Sequence, residues 1–430
     1  MFPSRPGDSV TGTGDRLHAH VAELYPLLRS ITGAGLRATL RDIAARIPLR
    51  ITEVPSGTRV LDWEVPPEWT LREAWVATLD GRRVIDAALH SLHVLNYSAP
   101  YDGVVSRAEL DAHLHSLPGQ PSLIPYRTSY YVRDWGFCLA HRDRLALADE
   151  AYRVRIDATL APGSLSYGEC VLPGEEPGEV LFSAHSCHPS LANDNLASIA
   201  VAVELARRLA QRRRRFTYRF LFAPGTIGAI CWLAANRDAA SRIRHGLVLT
   251  CLGDPAAPTY KQSRRGDAPI DRYAAHVLGG ARILPFAPTG YDERQFCSPG
   301  FDLRMGCLMR SPGGTFPEYH TSADNPDFVR PEALADSLRV LTEIVDLIEQ
   351  DETFVNTAPY GEPQLGRRGL YDGAVPIDRM AMLWVLNLSD GRHSLFDIAA
   401  RAGHPFAAVA AAAAALRDAG LLVRASSSAA

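Results

Sequence analysis

Hydrophobic positions change spacing twice along the chain. Leu17, Val21, Leu24, Leu27 and Leu28 recur on one helical face, and Leu36 to Ile47 repeats that period, so two amphipathic helices open the fold. Residues 1–14, rich in Gly, Ser, Thr and Pro, read as disordered. From Thr52 to Ser98 the period shortens. Val60, Leu61, Trp63, Trp69, Trp75, Val84 and Ile85 stand between Pro and Gly turns, which predicts short strands. A proline-punctuated loop spans His113 to Pro125, and strand character returns over Ser129–Leu139.

From Tyr152 the pattern alternates. Strands are expected at Val154–Ala158, Val180–Ala184, Tyr218–Ala223 and Leu247–Cys251, with helices at Leu196–Leu209 and Ile227–Asn236. Such alternation implies βαβ units and a largely parallel sheet. Pro331–Glu349 is an amphipathic helix, followed by a Pro/Gly-rich linker. Helices at Ile377–Leu388, Ser394–Ala402 and Pro405–Ala419 and a terminal Leu421–Val423 strand then predict a small winged-helix-like module. The resulting division is an α/β domain at 15–51 and 140–356, an inserted β-rich domain at 52–139, a linker at 357–376 and the module at 377–425. An insert so placed can roof the carboxyl ends of the sheet strands and narrow access to them.

Composition excludes several classes. The chain has 430 residues, 47% hydrophobic and 22% charged, enough for a sizeable core, and a net charge of −3, so no global field recruits nucleic acid or an acidic membrane. The densest basic run, Arg212–Arg215, falls at a predicted helix end, where positive charge complements the helix dipole. Pro405–Leu416 has no Lys or Arg, unlike a DNA-reading helix, so the module is expected to contact protein, including a second copy of this chain. The seven cysteines form no C-x-x-C pair, which suits reduced thiols. No apolar run has signal or membrane-spanning length, and the expected location is cytoplasmic.

The strongest chemical signal is His185-Ser-Cys-His188-Pro-Ser-Leu-Ala-Asn193-Asp194-Asn195, between a buried strand and a helix. Two imidazoles and a carboxylate at the carboxyl end of a parallel strand suit a zinc ion. Helix capping by Asp194 or Asn195 would not need two histidines. A second signal is Pro317-Glu318-Tyr319-His320-Thr-Ser-Ala-Asp324-Asn325, in which Asp324 could orient the His320 ring. A third, Asp292-Glu293-Arg294-Gln295-Phe296, reads by spacing alone as a solvated loop.

These segments, with Phe220 to Ile230 and Tyr319-His320-Thr321 after them, resemble the zinc aminopeptidases that include bacterial leucyl aminopeptidase and glutamate carboxypeptidase. From about Leu24 to Val423 the chain looks like a bacterial group of aminopeptidase-like proteins. These combine a zinc-aminopeptidase-like α/β sheet flanked by helices, an inserted small β domain and a C-terminal winged helix. Asp62 to Pro66, Trp135 to Cys138 and Cys187 to Ser190 are specific parts of that likeness. The resemblance implies metal ligation by His185, Asp194 and His320, with His188 replacing or supplementing His185. It also implies a Glu-Glu pair after the next strand, yet Pro224-Gly225-Thr226 stands there, and Thr250-Cys251, with Asp254 beyond, replaces a later Asp. A carboxylate pair lets two cations sit close together, so its loss points to one zinc ion. Substitute bases, in order of preference, are Glu318, Glu169 and Glu293, with Asp292 in support.

The implied activity is hydrolysis of an amide bond in a small peptide or aminoacyl conjugate, including a biosynthetic intermediate. The competing reading is a catalytically impaired binding protein that keeps its metal. Because Gly225 and Thr226 are small, the sequence also suggests room at that turn for a restored glutamate.

Overall fold

In the computed structural model, residues 10–280, 282–371 and 377–425 are described. The expected disorder at 1–14 lies outside the described residues as far as residue 9, and the rest of that stretch is helical. The first helix runs Val10–Leu24 and buries Leu17, Val21 and Leu24; the second runs Ala34–Arg46.

The part of the chain within Gly7–Ile344 forms one compact unit built on an eight-stranded sheet. Its order is Leu49–Pro55, Ser164–Leu172, Thr217–Ala223, Glu179–His185, Ile243–Leu249, Met305–Met309, Thr259–Lys261 and Ile283–Leu284. The strands from Thr217–Ala223 to Met305–Met309 are mutually parallel. Every residue of Glu179–His185 is buried, as expected of a central parallel strand covered on both faces. The chain leaves this strand for one neighbour, Thr217–Ala223, and then crosses to the other, Ile243–Leu249. The order therefore reverses at Glu179–His185, and open α/β sheets bind ligands at the carboxyl ends beside such a reversal. Helix Ser198–Ala210 supports the strand through buried Ile199, Val203, Leu205 and Leu209; each such side chain stabilises by about 1.5–3 kcal/mol. Beyond its end, Arg214 donates to the Leu209 carbonyl at 2.5 Å, in keeping with the helix-end reading of the arginine run.

A second, four-stranded antiparallel sheet has the order Arg83–Asp86, Glu68–Thr78, Ala151–Ala161, Tyr101–Ser106. Pairing shifts both edges of the expected insert. Thr52 lies in Leu49–Pro55 and belongs to the large sheet, whereas Val154–Ala158, expected in the α/β core, pairs with Glu68–Thr78 in the small one. Each strand alternates apolar and polar residues, so local pattern cannot say which sheet receives it. Expected strand character over Ser129–Leu139 is limited to Phe137–Cys138, because Tyr130 and its neighbours turn towards the α/β unit instead.

Val345–Ala430 contributes most of the second unit. Helices Arg379–Leu388, Leu395–Ala402 and Phe406–Asp418 accompany a three-stranded sheet ordered Asp390–Ser394, Thr353–Asn356, Leu422–Arg424. The first strand of this winged helix thus precedes the linker, in a segment the sequence had assigned to the α/β domain. Residues 372–376 of the expected linker lie outside the described residues.

Candidate metal centre

His185 ends the central strand, opposite Ala223 on its neighbour. The chain then passes through an irregular helical turn, Ala192–Ala197, before helix Ser198–Ala210. Three consecutive residues divide the work of this turn. Asn195 donates to the carbonyls of His185 and Leu249 and accepts from the Cys251 N–H, stitching together two strand ends. Asn193 donates to Asp254 and accepts from the Gly253 N–H. Asp194 lies between these anchors, and its side chain faces the histidines.

The Asp194 carboxylate is 1% exposed and meets all three imidazoles. Oδ1 lies 2.7 Å from His185 Nε2; Oδ2 lies 3.0 Å from His320 Nε2 and 3.8 Å from His188 Nε2. Ligand atoms of His185, His188 and Asp194 all lie within 4.8 Å of one another. Donors about 2.0–2.1 Å from a tetrahedral zinc ion stand about 3.3 Å apart, so His185, His188 and Asp194 are the residues grouped closely enough to share one ion, while His320 stands outside that group and approaches through Asp194 Oδ2. Burial lowers the pKa of His185 and of His188, the latter strongly. Burial also works against the charge of Asp194, but His188, His185 and His320 more than offset it and hold its pKa well below the usual range. Neutral imidazoles beside an ionised carboxylate are the protonation states a metal requires.

Aromatic rings fix the imidazoles. Tyr291 stacks on His185 at 3.6 Å between centroids, and Tyr319 stacks on His320 at 3.9 Å. Tyr126 contacts the rings of both His188 and His320, and its N–H donates to the His320 carbonyl at 2.7 Å. That bond helps hold His320 at φ +56°, a conformation that costs a non-glycine residue of order 1–3 kcal/mol. Buried Arg29 donates to the His188 carbonyl at 2.7 Å. Sequence reasoning missed Arg29, Tyr126 and Tyr291, because aromatic and basic residues far apart in the chain carry no local motif.

The candidate bases separate. Glu169 accepts from Arg219, from Trp232 Nε1 at 2.7 Å and from Arg50 at 2.8 Å, and lines a different pocket from the histidines. Burial would raise its pKa, but the Trp232 bond and these arginines bring it net below normal. Glu293 is fully buried in an ion pair with Lys261 and is not a solvated loop residue. Both are occupied by structural partners. Glu318 is half-buried, and no side-chain bond is formed by it among the described residues. Asp324 also differs from expectation. Its carboxylate accepts from the N–H groups of Asn193 at 2.6 Å and Asp194 at 3.0 Å, so it fixes the Asp194 backbone and not the His320 ring. Asp292, buried, accepts from the Thr226 N–H at 2.7 Å and so fixes the turn after Ala223.

That turn has no spare room. A side-chain carbon placed on Gly225 would stand 2.2 Å from the Tyr291 hydroxyl oxygen. The tyrosine occupies the space that the sequence suggested for a glutamate. Beside it, Cys187 Sγ accepts from the Gly225 N–H at 3.3 Å and lies 3.1 Å from His188 Nδ1. A cavity of about 540 Å³ opens here, lined by His188, Tyr291, Thr226, Arg294 and Tyr131 and by Trp63 of the short strand Trp63–Glu64.

This sheet and its strand-end histidines belong to an aminopeptidase-like protein with a C-terminal winged helix. The chain is a member of the family described as "Domain of unknown function (DUF4910)", whose model matches residues 18–351; a winged helix-turn-helix model matches residues 352–424. It is 45% identical over 403 residues, 92% of this chain and 93% of the relative, to a Clostridium acetobutylicum protein named "Putative polysaccharide biosynthesis protein with aminopeptidase-like domain". A crystal structure of a "putative peptidase" from Clostridium acetobutylicum is similar with a TM-score of 0.91 and 44% identity, covering 96% of this chain and 97% of that one. A zinc aminopeptidase from Bacillus subtilis shares the fold with a TM-score of 0.58 at 16% identity, over 79% of this chain and 95% of that one.

Proposed function

We propose that the protein is a hydrolase of amide bonds in small peptides or aminoacyl conjugates, dependent on one zinc ion held by Asp194, His320, His185 and His188. The observation that carries this reading is the approach of three imidazoles to one buried carboxylate, beside a cavity that no Asp or Glu lines. When bound, zinc supplies a Lewis acid that polarises a carbonyl and lowers the pKa of water towards about 7. Asp324 and Tyr126 hold Asp194 and His320 in place. Glu318, the uncommitted carboxylate two residues from His320, is the proposed proton acceptor. The name of the Clostridium relative supports a substrate drawn from polysaccharide assembly. Helix Phe406–Asp418 carries a single basic residue, Arg417, which supports a protein-contact role for the winged helix. The test is turnover of a panel of aminoacyl amides by the zinc-loaded chain. Hydrolysis lost in both Asp194→Ala and Glu318→Gln supports the reading.

One observation favours a second reading, a metal-keeping binding protein without peptidase activity. Tyr291 fills the space at Gly225, so the missing carboxylate has been replaced by packing. Binding of the same amides with no turnover at any pH would select it.

A further inference from the structure

We infer that the cavity beside His188 takes a substrate bearing a carboxylate or phosphate group, which Arg294 recognises, and not one that presents a free α-ammonium group there. The inference deepens the hydrolase reading and rests on it for the reaction, but the charge argument comes from the cavity alone.

Arg294 is the one residue with a fixed charge among those lining the cavity, and no Asp or Glu lines it. The guanidinium is half-buried, and its one side-chain bond among the described residues is a long 3.4 Å contact with Thr226 Oγ1. No carboxylate of the described residues forms an ion pair with it. Neighbouring Asp292 is near enough for the Arg294 charge to act on it, but its carboxylate bonds the Thr226 N–H and forms no ion pair with the guanidinium. Buried Arg219 is paired with Glu169 and Glu179 and Arg310 with Asp336, and buried Arg29 is held by the Leu24 and His188 carbonyls, whereas Arg294 has neither kind of partner among the described residues. Arginine cannot shed its charge, and a half-buried cation without a partner is costly. A carboxylate or phosphate entering the cavity supplies the partner in bidentate form. An α-ammonium group would meet a like charge and find no acceptor of opposite sign.

The opposite wall describes the rest of the substrate. Trp63 and Tyr131 meet edge-to-face with centroids 5.2 Å apart, and are 40% and 49% exposed. They offer an open apolar face to a ring or hydrocarbon body. The substrate class is therefore an amide that joins an apolar or ring-bearing body to an acidic group.

Calorimetric titration of the full chain tests this, first metal-free, so that ligation of zinc by the acid cannot mimic the effect. The probes are N-benzoylglycine, its neutral methylamide, N-benzoyl-O-phosphoethanolamine and phenylalanine amide. At least one acidic probe is expected to bind about tenfold or more tightly than the methylamide, a difference of about 1.4 kcal/mol. The stronger of the two acidic probes identifies the anion. Arg294→Gln should abolish the preference and Arg294→Lys should retain part of it. Equal binding of acidic and neutral probes, tighter binding of phenylalanine amide, or a preference unchanged in Arg294→Gln overturns the inference. The zinc-loaded chain separates the two claims. Binding through Arg294 without hydrolysis of any amide upholds the inference and defeats the hydrolase reading; hydrolysis without preference does the reverse.

Discussion

A side-chain carbon on Gly225 would stand 2.2 Å from the hydroxyl oxygen of Tyr291, whose ring is stacked on His185. The place where the resemblance implies a glutamate is therefore packed by an aromatic residue from a distant loop. Gly225→Ala should destabilise the protein by about 1–3 kcal/mol, the usual cost of overpacking. In Gly225→Ala/Tyr291→Ala the two changes should be strongly non-additive, the second relieving the first, as measured by denaturant unfolding of all four proteins. Additive losses would show that the two positions do not compete for space.

Glu169 and Glu318 should respond in opposite ways. Glu169→Gln removes the charge that pairs with buried Arg219 and should cost about 3 kcal/mol of stability. The folded fraction should keep its kcat. Glu318→Gln should leave the unfolding midpoint within about 0.5 kcal/mol and lower kcat by about 10²-fold or more. Steady-state rates normalised to folded protein separate the two.

Asp292 predicts a pH dependence. Burial raises its pKa from 3.8 to about 7 in the folded protein. Between those values the folded state binds a proton that the unfolded state has lost, so stability from this group is full below pH 3.8 and declines as pH rises through about 7. Asp292→Asn, which keeps an oxygen for the Thr226 N–H, should remove that slope. Unfolding free energies of the two proteins between about pH 4 and 8 should be closest at the acidic end and diverge in favour of the variant up to about pH 7. A constant difference would show that Asp292 does not titrate in this window.

Much of the fold could be read because local signals agreed with the tertiary structure. The run Val180–Ala184 reads as a short apolar strand, and His185 to Asn195 as a strand-to-helix turn rich in metal-binding groups. Sheet membership could not be read in this way. Thr52 and Val154 lie in alternating strands that suit either sheet, and long-range pairing alone decides between them. The site divided along the same line. Asp194, His185, His188 and His320 announce themselves by residue type. Glu169 and Glu293 do too, but their partners Arg219 and Lys261 claim them first. Tyr291 lies 66 residues beyond Gly225, and nothing in either segment reports their contact.

The central claim is a single metal ion on Asp194, and elemental analysis of the purified chain tests it most directly. Asp194 meets His185 through Oδ1 and both His320 and His188 through Oδ2. About one zinc per chain is expected in the natural protein and essentially none in Asp194→Ala. Two tightly held ions per chain, or one retained in full by Asp194→Ala, would contradict the account.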